Sequence, residues 1–178
     1  MEIDWQAIDR LISADSKRLL QLFTSEMSSK GVPLDAIGFA FEFGRRSLQF
    51  DICANTVANA RSPVAERRQR DEQFDEWLWN SGDFDFPGAI AETFGGFSAA
   101  CWQELQMLEQ IANQGETARS FISSGITEIC CHVLAECSIA GVFSQYPDIK
   151  YNVGDLLEEP ALIRQRHDVI KSLIERAS

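Results

Sequence analysis

The sequence predicts a single α+β domain spanning 1–178. A small antiparallel β-sheet, a hairpin over 36–43 and 47–53 plus one or two short strands, is expected to pack against about five helices. Three observations lead there. Apolar residues recur at three- and four-residue spacings through long stretches at both ends of the chain. Two short stretches between them switch to strict alternation, and no repeat, linker or low-complexity tract interrupts the series. With 178 residues, 45% apolar and 24% charged, the chain has the make-up of a folded domain, and its length permits a core without disulfides or structural metal.

Residues 4–29 read as a helix. Trp5, Ile8, Ile12, Leu19, Leu22, Phe23 and Met27 form its apolar stripe, Asp4 is the candidate N-cap, and Gly31-Val32-Pro33 ends it. Ile37, Phe39, Phe41 and Phe43 then alternate with Ala36, Gly38, Ala40 and Glu42. Leu48, Phe50 and Ile52 alternate with Gln49, Asp51 and Cys53, and Gly44-Arg45-Arg46-Ser47 supplies the turn. One face of this hairpin is bulky and aromatic and needs helices over it. The other face of the first strand is small and admits the close approach of another backbone or helix.

Asn55 to Arg70 is polar and reads as a loop followed, after Pro63, by a short exposed helix. Residues 74–96 are the least regular part: Glu76–Asn80 is expected to extend the sheet and Ser81-Gly82-Asp83 to turn. From Phe97 a helix carries Trp102, Leu105, Leu108 and Ile111 to near Gly115. A more apolar one over 118–143 has so few charges that it is expected to be the central helix. Ile149, Tyr151 and Val153 form a brief alternating segment, and Pro160 opens a last helix.

The motifs of chemistry are weak. Cys53, Cys101, Cys130, Cys131 and Cys137 have no framework spacing and are expected to be reduced thiols packed as small hydrophobes. On a helix Cys130 and Cys131 diverge by about 100°, so their sulfurs do not converge on one ion. Cys101 with His132 is a conceivable nucleophile–base pair, but no local signature supports it. Paired carboxylates (Asp75/Glu76, Asp83/Asp85, Glu158/Glu159) lack accompanying histidines, and Gly44 and Gly95-Gly96 form no phosphate-binding motif. Ser123-Ser124-Gly125 is not a nucleophile elbow. The expectation is a non-catalytic protein without metal or cofactor.

Charge is the most informative feature. The formal net charge is −11, which argues against nucleic-acid binding, where clustered Lys and Arg must neutralise phosphates. No apolar run approaches the roughly 20 residues of a membrane span, and Met1-Glu2-Ile3-Asp4-Trp5 is acidic where a signal peptide is basic and then apolar. A cytoplasmic location without membrane contact is expected. Residues 71–118 hold 10 acidic and no basic side chains, against near balance on either side, and contain Trp77, Trp79 and Trp102. Acids interspersed with large rings combine desolvatable anchors with a field that steers a basic partner. The candidate partner-binding residues are Asp71, Glu72, Asp75, Glu76, Trp77, Trp79, Asp83, Phe84, Asp85 and Glu92. Within that stretch Trp77, Trp79 and Phe84 are the expected anchors.

The stretch Glu76-Trp77-Leu78-Trp79-Asn80-Ser81-Gly82-Asp83-Phe84, after a long helix and an aromatic hairpin, resembles small bacterial domains that carry a tryptophan–polar–turn–acid–aromatic segment after the second strand. Such domains occur beside polymorphic toxins as immunity proteins. The resemblance covers roughly 4–100 in element order and brings no catalytic residues. It implies a cytoplasmic inhibitor of a cognate toxin, delivered by a contact-dependent or type VI secretion route, with a basic site for nucleic acids or nucleotides. A regulatory or scaffold module, or a small-molecule enzyme, are the competing expectations.

Overall fold

The structure, a computed structural model, describes residues 3–43, 48–62, 84–86, 88, 90–155 and 159–177. Helix α1 (Trp5–Ser29) begins where Asp4 accepts the Ala7 N–H at 3.0 Å, satisfying one of the free donors of the first turn. It ends in a Schellman turn: Gly31, at φ 66°, donates to Ser28 and Val32 donates to Met27. Ile8, Ile12, Leu19, Leu20, Phe23 and Met27 face the core. Leu22, assigned to the stripe by spacing, is exposed instead, and Leu20 takes its place because it lies nearer the centre of the buried arc.

Strands β1 (Leu34–Phe43) and β2 (Leu48–Thr56) pair antiparallel with Phe39 opposite Ile52, Phe41 opposite Phe50 and Phe43 opposite Leu48. Helix α2 (Val57–Ala60) follows, capped by the Thr56 hydroxyl, which accepts from the Asn59 N–H at 3.2 Å. Helices α3 (Ile90–Thr93), α4 (Ala99–Ala112) and α5 (Glu116–Ile139) come next, then β3 (Lys150–Asp155) and α6 (Pro160–Ala177). The expected helix after Pro63, the strand over 76–80 and the turn at 81–83 lie outside the described residues.

The sheet order is β2-β1-β3. The third strand runs parallel to β1, with Ile37 beside Tyr151 and Phe39 beside Val153, so the sheet is mixed rather than wholly antiparallel. The crossover that carries α3, α4 and α5 returns the chain in its original direction, as a parallel pairing requires. Alternation then sorts the side chains. Ile37, Phe39, Phe41, Phe50, Ile52, Tyr151 and Val153 join the helices in the main core, while Ala36, Ala40 and Cys53 lie on the other face. Gly38, on that small face, sits so close to β3 that a Cβ would lie 1.5 Å from the Asn152 carbonyl oxygen.

Helix α5 packs against α1, α4, α6, β1 and β3, and is the central helix expected from its composition. By length and composition it is the one described helix able to cross a membrane, and half of its most apolar window is buried in the protein. Helix α6 covers the outer edge of β3. The Tyr151 N–H donates to His167 Nδ1 at 2.9 Å and Arg166 donates to the Val153 carbonyl at 2.8 Å, which blunts an edge that would otherwise invite another strand.

Candidate functional site

The acidic segment enters the described structure at Phe84 and is fastened there to the sheet. Phe86 exchanges two backbone hydrogen bonds with Ala54, at 2.9 and 3.0 Å, so it lies along the outer edge of β2. The Asp85 carboxylate accepts from the Thr56 N–H at 3.3 Å and from the Thr56 hydroxyl. The Asp85 N–H donates to the Asn55 side-chain oxygen at 3.4 Å, which also accepts from the Asn59 amide at 2.8 Å. The chain bends here, so that Phe84 reaches the small face of the sheet while the Phe86 ring packs edge-on to Phe23 at 5.4 Å.

One candidate residue is thereby reassigned, and a second gains a structural role. Phe84 is only 5% exposed and packs with Ala36, Ala40 and Cys53; it is not an accessible anchor. The physical reason is the small face of β1, whose missing volume one aromatic ring fills. Asp85 remains exposed while its carboxylate accepts from Thr56, so it serves as a clasp at the surface. Glu92 is likewise exposed, on α3. Asp71, Glu72, Asp75, Glu76, Trp77, Trp79 and Asp83 lie outside the described residues.

Glu92 stands at a cleft of about 490 Å³, whose lining includes Gln49, Phe50, Asp51, Phe97 and Trp102. Several contacts hold its walls. Asp51 accepts the Ala91 N–H at 2.9 Å and the Ile52 N–H at 2.7 Å, joining the start of α3 to β2. Arg18 of α1 donates to the carbonyls of Phe94 (3.1 Å) and Gly96 (2.6 Å), and Asp15 accepts the Ser98 N–H at 2.7 Å. Gly95 and Gly96, at φ 90° and 72°, let the chain turn so that both carbonyls face one guanidinium. The Ser98 hydroxyl accepts from the Cys101 N–H and starts α4, and Trp102 meets Phe97 edge-on at 6.0 Å. The arrangement is an aromatic floor with carboxylates at its margin. Sequence reasoning missed Asp51 as part of it, because alternation marks Asp51 only as an outward residue of β2; its place beside α3 is a tertiary fact.

The cysteines are all buried and free. Burial pushes Cys101 up to about 12 and Cys131 and Cys137 up to about 11, and raises Cys53 and Cys130 as well, so these thiols stay protonated near neutrality. Cys101 is fully buried on α4 and His132 is exposed on α5, so the two are not presented together. Among the described residues no group of three or more His, Cys, Asp or Glu is placed to hold a metal ion.

The fold and this site define a small α+β domain with an acid-rimmed aromatic cleft. Comparison with protein-family models, curated proteins and solved structures returns no match to this chain, so charge and geometry carry the functional reading.

Proposed function

We propose that this protein is a cytoplasmic immunity protein that binds and neutralises a cognate bacterial toxin through the acidic-aromatic segment and the adjoining cleft. The toxin has a basic surface of the kind used on nucleic acids or nucleotides. The observation that carries the reading is the charge map: 10 acidic and no basic residues over 71–118. Solvated faces ordinarily mix both signs, whereas a one-signed surface steers a basic partner and occupies a site meant for phosphates. The clasp at 84–86 supports it by holding the end of that segment against β2, beside the cleft that Glu92 and Asp51 border.

The test is a variant carrying Asp75→Asn, Glu76→Gln, Asp83→Asn and Glu92→Gln together; Asp85 is kept because it clasps Thr56. Its association rate is measured at low salt against the purified product of the gene adjacent to its own. A rate reduced at least tenfold, with the difference shrinking as salt is added, is expected. An unchanged rate overturns the proposed interface. The cleft volume favours a second reading, a small-molecule site, since about 300–1,000 Å³ is usual for one. Thermal stabilisation by a metabolite rather than by a protein would select it.

A further inference from the structure

Helices α1 and α5 form a second cavity, of about 450 Å³, with Trp5, Asp9, Phe121, Gly125, Glu128 and His132 in its lining. Along α1 it lies about 27 Å from Phe23, against which the clasped segment packs, at 1.5 Å of rise per residue. The Trp5 and Phe121 rings meet edge-on at 5.9 Å and 74°. Phe121 keeps 57% of its surface exposed, so its ring is accessible from solvent beside Trp5. Gly125 makes the arrangement possible: a Cβ there would fall 2.3 Å from the Trp5 ring. Glycine inside a helix costs about 1 kcal/mol against alanine, and here it lets the indole lie against α5. The spacings 121, 125, 128 and 132 put the other wall on one face of α5, and Asp9 follows Trp5 by one turn.

We infer that this groove is a docking point for a Lys or Arg side chain of a protein partner, held between the Trp5 and Phe121 rings and the Asp9 and Glu128 carboxylates. Charge complementarity identifies the occupant. Two carboxylates border the groove, and no Lys or Arg is among its described lining residues. An aromatic face attracts a cation through its quadrupole, and a carboxylate beside it adds directional acceptors. Arginine set against aromatic anchors is a recurrent centre of protein–protein binding energy. The groove is separate from the acid-rimmed cleft, and the inference stands whether or not that cleft meets a toxin.

The test uses the full chain and the probe acetyl-Gly-Ala-Arg-Ala-Gly-amide, with an otherwise identical peptide carrying citrulline, the uncharged isostere of arginine. Binding is followed by NMR at the Trp5 indole N–H, the Gly125 amide and the His132 ring. Saturable shifts confined to these groups are expected with the arginine peptide, and affinity about fivefold or more weaker with citrulline. A comparable loss is expected in the Phe121→Ala/Glu128→Gln variant, whose substitutions lie on exposed side chains and leave the remaining spectrum unchanged. Equal binding of the two peptides, undiminished binding by the variant, or no saturable shift at the groove overturns the inference.

Discussion

Replacing Gly38 by alanine is expected to detach β3 from the sheet. The new Cβ would sit 1.5 Å from the Asn152 carbonyl oxygen, 2.4 Å from its carbon and 2.9 Å from the Asn152 Cα. These are backbone atoms of a paired strand, not the movable end of a side chain. To restore an ordinary contact the oxygen must retreat by roughly 2 Å, which takes a hydrogen bond between the strands out of its working range. Tyr151 and Val153 are buried on β3, at 3% and 0% exposure, and each such side chain contributes about 1.5–3 kcal/mol by its burial. Losing both costs about 3–6 kcal/mol, a large part of the 5–15 kcal/mol typical of a domain. At about 2–4 °C per kcal/mol for a chain of this size, Tm falls by about 6–24 °C. Gly88→Ala is the control, since its nearest neighbour would be Asp51 Cβ at 3.9 Å. Thermal unfolding by circular dichroism, with hydrogen exchange at Tyr151 and Val153, reads both variants. A Gly38→Ala protein melting within about 2 °C of wild type would refute the close-approach argument.

The His167 ring accepts the Tyr151 N–H, and burial, followed by Lys171, lowers its pKa below the ordinary value of 6.5. The unfolded chain therefore takes up the proton first. This contribution is fully present above about pH 6.5 and is lost as pH falls from there toward the lower folded value. Urea midpoints at pH 7.5 and 5.5 are expected to fall further for wild type than for His167→Gln. The five buried thiols are expected to react with a disulfide reagent at pH 8 no faster than the protein opens, and all together in denaturant; one fast-reacting thiol in the native protein would contradict their burial. Asp85→Ala is expected to lower stability by about 1–2 kcal/mol through loss of its bonds to Thr56, read as a lower urea midpoint with unchanged slope. An unchanged midpoint would remove the clasp role.

Wherever a period alone decides an element, the chain was legible. The stripe on α1 apart from Leu22, its Asp4 cap and Gly31 stop, the pairing of two strands as a hairpin and the apolar character of α5 follow from spacing and from what one side chain can do for its own backbone. The candidate site was legible only as charge, because net sign is additive along a sequence while exposure is not. Phe84 shows the limit: its acidic neighbours mark it as surface, yet the space above Ala36 and Ala40 exists only after β1 and β2 have paired.

The amino-acid order by itself determined the α+β class, the hairpin, the flanking helices and the concentration of carboxylates in one stretch, since each is a local property of period or sign. The tertiary structure alone decided that β3 runs parallel against Gly38, that Asp85 clasps Thr56, and that Trp5 and Phe121 share a groove over Gly125. Each depends on contact between residues far apart in sequence, whose meeting is set by how the whole core packs and not by any neighbour along the chain.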